Sequence, residues 1–347
     1  MEATAAGGPG GGEGGARRGT PSISVVVPVF EEEAGIAAWL RAIAARIAEL
    51  TDRSEIVVVN DGSRDGTRAE VLAVAAACRV RYLELSRNFG KEAALSAGLE
   101  AAAGEVVLLI DGDGQHPLAV VGEMLARWRD GYEMVYGVRT SRADERAGKR
   151  LGAALFYRVL AWGAPIEIPP DAGDFRLMDR KVVDALRGLT ERTRLMKGLY
   201  AWVGFRSVGV PYEVQPRTAG RSSFDLRRLV RLALTGITSF TTLPLHAVSL
   251  AGFLVSAAAL GYGGWVVVDK LLFDIAVPGY PTIVASIMFF SGVQLLSIGL
   301  IGQYLGRVFD EVKRRPNFIV ADAVDQSPLG LAPRAAGAPP LADGAPR

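Results

Sequence analysis

A hydrophobic run that ends abruptly in acidic residues most constrains the fold of this chain. Val106 to Ile110 are all aliphatic, and the next three residues read Asp-Gly-Asp. A short aliphatic run that is bounded by turn residues predicts a strand buried on both faces. Such strands belong to parallel sheets covered by helices, and ligands bind at the edge where their carboxyl ends meet. The run therefore predicts an α/β fold with two carboxylates at its ligand-binding edge.

Three further strands precede this one, and stretches with helical spacing of apolar residues separate them. The four predicted strands are Ser22 to Val27, which Pro28 would end, Glu55 to Val59, Arg81 to Leu85, and Val106 to Ile110. Strands that alternate with helices predict a mostly parallel sheet with right-handed crossovers. A dinucleotide-binding domain is excluded, because no Gly-x-Gly-x-x-Gly follows the first strand.

The acidic residues at the strand ends are the candidate functional groups. Asp111 and Asp113 could together bind Mg²⁺ or Mn²⁺, which prefer oxygen ligands, or could form an ordinary solvated turn. A calcium-binding EF-hand loop is excluded, because Gln115 takes a ligand position and His116 stands where that loop needs glycine. Asp61 could accept hydrogen bonds from a base or ribose, or could cap the helix that follows it.

Composition excludes several classes of function. The net charge of +2 offers no electrostatic case for nucleic acid. The single Cys78 cannot form an internal disulfide, and two histidines in the whole chain argue against a zinc cluster. Both ends are expected to be disordered: residues 1–20 are rich in Gly and Ala, and Gln326 to Arg347 in Pro and Ala.

Two long stretches without charge predict membrane spans. Leu232 to Val268 and Ile275 to Gly306 contain no Asp, Glu, Lys or Arg, and each exceeds the roughly 20 apolar residues that a span requires. We place the spans at Leu245 to Val268 and Thr282 to Leu305. Arginines flank the outer ends of this pair, so the positive-inside rule predicts that both termini are cytoplasmic.

The segment before the first span has the pattern of an amphipathic helix. Between Phe224 and Leu232, apolar residues share one helical face and arginines occupy the other. This pattern is typical of a helix that lies on an anionic membrane surface, and the alternative is a helix packed on the soluble domain. Its position next to a predicted span favours the interfacial helix.

The motifs, taken together, resemble an enzyme family. Val-Pro-Val-Phe-Glu-Glu-Glu, Val-Val-Asn-Asp-Gly-Ser, Ser-Arg-Asn-Phe-Gly-Lys-Glu, Asp-Gly-Asp-Gly-Gln-His-Pro and Ala-Gly-Asp-Phe-Arg-Leu-Met occur in that order. This series is similar to the inverting family 2 glycosyltransferases, and more narrowly to the polyprenyl-phosphate glycosyltransferases. The similarity runs from about Ser22 to Phe318. It implies a GT-A-type domain that binds a nucleotide-diphosphate sugar.

The resemblance also implies roles for individual residues. The residues expected at the donor nucleotide and its diphosphate are Pro28, Phe30, Glu32, Asp61, Lys91 and Asp111. Asp111 and Asp113 would hold Mg²⁺ or Mn²⁺, and Asp174 matches the acid proposed as catalytic in the family. Arg217, Arg221 and Ser222 would contact the phosphate of the acceptor.

The predicted organisation has five parts. They are a disordered leader at 1–20, a GT-A domain at 21–222, an interfacial helix at 223–243, a two-helix transmembrane region at 244–306, and a basic segment with a disordered tail at 307–347.

The predicted activity is metal-dependent, inverting transfer of a sugar, with UDP-glucose as the expected donor, to polyprenyl (undecaprenyl) phosphate at the cytoplasmic face of a bacterial inner membrane. Membrane lipids and a second copy of the chain are the expected partners, and nucleic acid is not.

Two alternatives to this function stay open. A processive polysaccharide synthase would share the sheet and the Asp-x-Asp motif, but the chain lacks the Gln-x-x-Arg-Trp motif that such a synthase carries. A non-catalytic membrane scaffold could keep the fold without the chemistry, although the retained acids Asp111, Asp113 and Asp174 argue against it.

Overall fold

A computed structural model describes residues 19–140, 172–189, 191, 194–213 and 279–330, together with scattered positions between 248 and 272. The described residues form two compact units. The first contains the described residues of 19–140, 172–213 and 316–330, and the second those of 248–315. The predicted interfacial helix and the residues Arg217, Arg221 and Ser222 lie outside the described residues.

The first unit is built on an eight-stranded sheet with the order β7-β5-β6-β4-β1-β2-β3-β8. The strands are β1 (Ile23–Val29), β2 (Ser54–Asn60), β3 (Val80–Leu85), β4 (Val106–Leu109), β5 (Met134–Arg139), β6 (Ala172–Asp179), β7 (Ser207–Tyr212) and β8 (Val320–Asp325). Four neighbouring strands, β4, β1, β2 and β3, run parallel, whereas β6 and β8 pair antiparallel with their neighbours. The mostly parallel α/β sheet that the sequence predicts is confirmed.

Helices cover both faces of this sheet. They are α1 (Ile36–Ala48), α2 (Thr67–Val74), α3 (Lys91–Ala101), α4 (Val120–Arg129), α5 (Arg180–Gly188) and α6 (Met196–Trp202). Helices α1, α2 and α4 pack on one face, and α3, α5 and α6 on the other. The chain adds β2 and β3 on one side of β1 and then crosses back to add β4 on the other side, and for this reason α1 and α3 lie on opposite faces of the sheet. Ligands of open α/β sheets bind at such a switch point.

Pro28 does not end the first strand, as the sequence suggested, but lies inside it. The residue pairs with Val59 of β2, and the strand continues to Val29. The pairing of β1 with β4 stops at Val26, whose carbonyl accepts the Ile110 N–H. Alternate residues of a parallel strand form their hydrogen bonds with the same neighbouring strand, so Pro28, like Val26, faces the side of β4. Because β4 has already ended there, the N–H group that proline lacks would have had no partner in β4. A proline is tolerated at such an unpaired position.

The last strand, β8, was not predicted from the sequence. It adds an edge to β3, and the chain then continues along the sheet, where Gln326 donates its N–H to the Val80 carbonyl. Residues 326–330 are therefore ordered, which corrects the expectation of a disordered tail from Gln326. The sheet domain likewise does not end at 222, since 316–330 belong to its unit. Residues 331–347 lie outside the described residues.

The second unit contains a long helix, α7 (Tyr280–Val312). The predicted span from Thr282 to Leu305 lies within it. Within the described part of the chain, one helical segment, Phe289–Val312, is long and apolar enough to cross a membrane. The described positions between 248 and 272, where the other span is predicted, are helical.

Candidate active site

The carboxyl end of β2 is tied to the loop after β3 by Asp61. Its two carboxylate oxygens accept the N–H groups of Phe89 at 2.7 Å and Gly90 at 2.8 Å. The side chain is buried, and burial raises its pKa, although these two hydrogen bonds oppose the shift. Asp61 therefore does not cap the following helix, whose N-cap is Gly66. It instead fixes the loop that carries Lys91 into α3.

The turn after β1 lies beside this loop, because Asp61 donates its N–H to the Val29 carbonyl at 2.9 Å. The backbone of this turn is held by hydroxyl groups: Glu31 donates its N–H to Ser63 Oγ and Glu32 donates its N–H to Thr67 Oγ1, both at 2.9 Å. Phe30 stays 41% exposed on this turn. An exposed aromatic ring beside a rigid turn provides a flat surface on which a base can stack.

The geometric centre of the site is an ion-pair bridge. Lys91 Nζ lies 2.7 Å from Asp111 Oδ1 and 2.8 Å from Asp174 Oδ2. Burial alone would lower the pKa of Lys91, but the charges of the two carboxylates raise it above its usual value. The ammonium group therefore stays charged between two acids that are far apart in sequence, at the end of β4 and in β6.

Close packing places Lys91 at this position. Helix α3 consists largely of small residues, and Gly98 lies so close to Val26 of β1 that a side chain at this position would clash with it. Asp111 is held from the opposite face of the sheet, since Trp39 Nε1 of α1 donates to its carbonyl at 2.9 Å. Gly112 also approaches β1 closely, as a Cβ there would lie 3.1 Å from the Pro28 carbonyl oxygen.

A candidate metal site lies beside the bridge. Asp111, Asp113 and His116 each offer one ligand atom, and these atoms all lie within 4.8 Å of one another. Two carboxylates and an imidazole are a plausible donor set for a divalent cation. The Nδ1 atom of His116 is buried and makes no hydrogen bond within the described part of the chain. The residues present thus fit a Mg²⁺ or Mn²⁺ ion, and the imidazole nitrogen favours Mn²⁺.

His116 is held by aromatic stacking. Its ring lies 4.7 Å from the ring of Phe175 and 5.8 Å from that of Tyr212. Burial lowers the pKa of His116, which keeps the imidazole neutral at physiological pH. The loop after β4 is thereby anchored to β6 and β7 through one side chain.

Asp174 lies in a buried polar environment. Burial raises its pKa, but the charges of Lys91, Lys197 and Arg176 outweigh burial and leave the pKa lowered. Its neighbour Glu92 has its pKa raised to about 7 by burial and by the charge of Asp174. The carboxylate of Glu92 accepts the Met196 N–H at 3.2 Å and so links α3 to the start of α6.

The structure brings together most of the residues that the sequence singled out. Pro28, Phe30, Glu32 and Asp61 line the ends of β1 and β2, whereas Lys91, Asp111, Asp113 and Asp174 surround the end of β4. Sequence reasoning missed three neighbours, His116, Glu92 and Arg176. The sequence held a signal for each of them. His116 completes the spacing Asp-x-Asp-x-x-His, Glu92 is next to Lys91, and Arg176 follows Asp174 by two residues and so lies on the same face of the strand.

Comparison with known proteins finds relatives in one enzyme family. Residues 24–187 match the family model described as glycosyl transferase family 2. An uncharacterized glycosyltransferase of Synechocystis is 42% identical over 304 residues, which cover 87% of this chain and 96% of that protein. A prophage-derived bactoprenol glucosyl transferase of Shigella flexneri is 42% identical over 300 residues, which cover 86% and 97%.

A solved structure is similar at a lower level. Glucosyl-3-phosphoglycerate synthase of Mycobacterium tuberculosis, solved with Mn²⁺, UDP-glucose and phosphoglyceric acid, is 22% identical with a TM-score of 0.44. The match covers 67% of this chain and 83% of that one.

Proposed function

Because this chain belongs to glycosyltransferase family 2, we propose that it transfers a sugar from a nucleotide-diphosphate donor to a polyprenyl phosphate at a membrane surface. The enzyme class follows from the family, and its sheet domain is of the GT-A-like α/β type. The donor, the acceptor, inversion at the anomeric carbon and dependence on a metal are the proposal. UDP-glucose is the donor that we propose first.

One observation carries the donor half: the Lys91 bridge between Asp111 and Asp174, at the switch point of the sheet. A nucleotide would stack on Phe30 and extend past Asp61, which would bring its diphosphate toward Lys91, Asp111 and Asp113. An ammonium group held in a partly buried site stabilises phosphate charge more strongly than one in water does.

Asp111, Asp113 and His116 are the residues that would hold the metal. A bound divalent cation would supply positive charge to the diphosphate as it departs. Lys91 would act on the same group from the side of α3. Its pairing with two carboxylates prevents it from moving freely, so the charge is already oriented before the donor binds.

The main role of Asp174 would be to orient the reacting groups, and not to accept a proton. A carboxylate with a lowered pKa holds a proton poorly, and that of Asp174 is lowered by Lys91, Lys197 and Arg176. The acceptor has little need of a base, since a phosphate monoester with a second pKa near 6 is largely ionised at neutral pH. The phosphate oxygen would attack the anomeric carbon opposite the departing diphosphate, which inverts the configuration.

The acceptor half is supported by the relatives. Those named bactoprenol glucosyl transferase are matched over 300 residues and nearly their whole length, so the match extends well beyond residues 24–187 of the family model. The helical segment Phe289–Val312, which is long and apolar enough to cross a membrane, would provide an anchor that suits a lipid substrate.

A direct assay tests the whole proposal. Purified protein in detergent is incubated with Mn²⁺, undecaprenyl phosphate and one of several donors, and the lipid product is identified by mass spectrometry. We expect a hexosyl lipid phosphate with UDP-glucose. A polymer would indicate the processive alternative, and nucleotide binding without any product would indicate a scaffold.

We expect Arg217→Ala to raise the KM for polyprenyl phosphate and leave the affinity for UDP unchanged. An arginine offers a forked set of donors to a phosphate and stays charged when partly desolvated. Membrane association should persist, because one cation adds only about 1 kcal/mol of membrane affinity. Weaker UDP binding with an unchanged acceptor KM would assign Arg217 to the donor site instead.

The proposed topology has two spans and both termini in the cytoplasm. In a protein with Cys78→Ala, a cysteine at Gly279, at the start of α7, should react with an impermeant thiol reagent added to intact cells. A cysteine at Arg315, after the end of α7, should react only after the cells are opened. The opposite pattern of labelling would place the donor site away from the nucleotide sugars and overturn the topology.

A further inference from the structure

A buried arginine lies beside Asp174 without an ion pair. Arg176 is 2% exposed and lies two residues after Asp174 in β6, so both side chains are on the same side of the strand. Its Nε donates to the Gly173 carbonyl at 3.0 Å, and its Nη1 contacts Met134 Sδ at 3.1 Å. In the part of the chain that the structure describes, no carboxylate lies within ion-pair distance of its guanidinium.

Two tyrosine rings fix the guanidinium in place. Its carbon lies 4.2 Å from the centre of the Tyr200 ring and 5.3 Å from that of Tyr136. Stacking on aromatic faces suits the planar, weakly hydrated guanidinium better than it suits the ammonium of lysine. The position of the charge is thus set by β5 and α6 as well as by β6, the strand that carries it.

Three polar atoms in this cluster are buried and make no hydrogen bond within the described residues. They are Asp174 Oδ1, Arg176 Nη2 and Tyr200 Oη. Buried polar atoms of this kind are rare in folded proteins and call for an explanation beyond stability. The charges are coupled, since Arg176 lowers the pKa of Asp174 and the charge of Asp174 opposes the lowering of the Arg176 pKa by burial.

Stability does not account for this arginine. A buried charge without an ion pair costs free energy, and an apolar side chain of similar volume is often at least as stable in such a place. The local balance of charge does account for it. Glu92, Asp111 and Asp174 are acidic neighbours of Lys91, and Lys91 and Lys197 bring only two positive charges to these three acids.

We propose that Arg176 is a positioning residue of the active site, whose fixed guanidinium keeps the Asp174 carboxylate in its place against Lys91. This inference rests on the proposed function, in which Asp174 orients the reacting groups. Arg176 would act through Asp174 and need not touch the donor or the acceptor.

A double-mutant cycle on turnover tests this role. We compare the kcat of the wild type, Arg176→Gln, Asp174→Asn and the double variant, each in the lipid assay. Asp174→Asn should lower kcat about 100-fold. Arg176→Gln should lower kcat roughly 10-fold, an effect of the size that coupled neighbouring residues usually show. The KM for the donor should not change. The double variant should match Asp174→Asn within about twofold, because Arg176 has nothing left to position.

A structural role would give a different pattern. If Arg176 only supports the fold, the two losses multiply in the double variant, and the inference is overturned while the proposed function stands. If Asp174→Asn is fully active, both the inference and the proposed role of Asp174 fail. Arg176→Lys keeps the cation but loses the planar group that stacks on the tyrosine rings, so its kcat should lie between those of the wild type and Arg176→Gln. A lysine variant no better than glutamine would contradict the inference.

Arg180→Gln is the matched control. Arg180 is a partly buried arginine that donates to the Gly104 carbonyl at 2.9 Å, at the end of β4 opposite to Asp111. Its replacement should lower the melting temperature and leave kcat unchanged. UDP binding in the presence of Mn²⁺ verifies that each variant is folded. Should Arg176→Gln not fold, Arg176→Met, which fills the space of the stem, replaces it in the same cycle.

Discussion

Replacing Asp113 by asparagine should lower sugar transfer about 100-fold or more, the usual effect of removing one charged contact in an active site. Asp113 offers one of three ligand atoms within 4.8 Å of one another, at the edge of the sheet beside Lys91. Asparagine keeps the shape of the side chain and removes the charge that would attract a divalent cation. The protein should therefore stay folded and bind Mn²⁺ much more weakly.

Two measurements check this expectation: turnover in the lipid assay, and Mn²⁺ binding by calorimetry on the protein without donor. Asp130→Asn is the matched control, because Asp130 is an exposed acid that follows α4. It should leave both quantities unchanged. Normal, metal-dependent turnover in Asp113→Asn would remove Asp113 from the site.

Replacing Arg81 by methionine should lower the free energy of unfolding by about 3–5 kcal/mol, as is typical when one partner of a buried ion pair is removed. Arg81 is 2% exposed and lies 3.2 Å from Glu55, which is fully buried. It also reaches the C-terminal segment, since its guanidinium contacts Asp325 at 3.3 Å and the Gly330 carbonyl. Its loss would leave the Glu55 charge without its cation and detach the end of β8 from β3.

The measurement is denaturant or thermal unfolding of the detergent-solubilised protein. Arg68→Met is the control, because Arg68 also links β3 to β8, through ion pairs with Glu84 of β3 and Asp322 of β8, but is 45% exposed. An exposed pair contributes only about 0–1 kcal/mol. Replacing Arg81 and Glu55 together by apolar residues should restore much of the loss. Equal effects of Arg81→Met and Arg68→Met would show that the buried pair does not anchor the last strand.

The first four strands could be predicted within two residues at each end. Strands β1, β2 and β4 are rich in β-branched and aliphatic residues, which a sheet covered on both faces can bury, and β3 has Tyr82, Leu83 and Leu85 between charged residues. The acids at their ends followed from the same patterns. Edge strand β8 escaped prediction although its residues alternate in burial. It is weakly hydrophobic, with two Asp and two Ala among its six residues, and its partner β3 lies 244 residues away in the chain.

The sequence by itself determined the α/β sheet domain, the acidic edge of that sheet and the uncharged stretches, because hydrophobic periodicity and turn residues act over short distances. The tertiary structure alone decided which charges meet. Lys91, Asp111 and Asp174 come from three separate elements, and their pairing depends on how closely α3 packs on β1 and on the strand order that places β6 beside β4. The same holds for Asp61, whose carboxylate binds the Phe89 and Gly90 amides. Side-chain chemistry limits the partners that a residue can have, but only the packing of distant elements selects one of them.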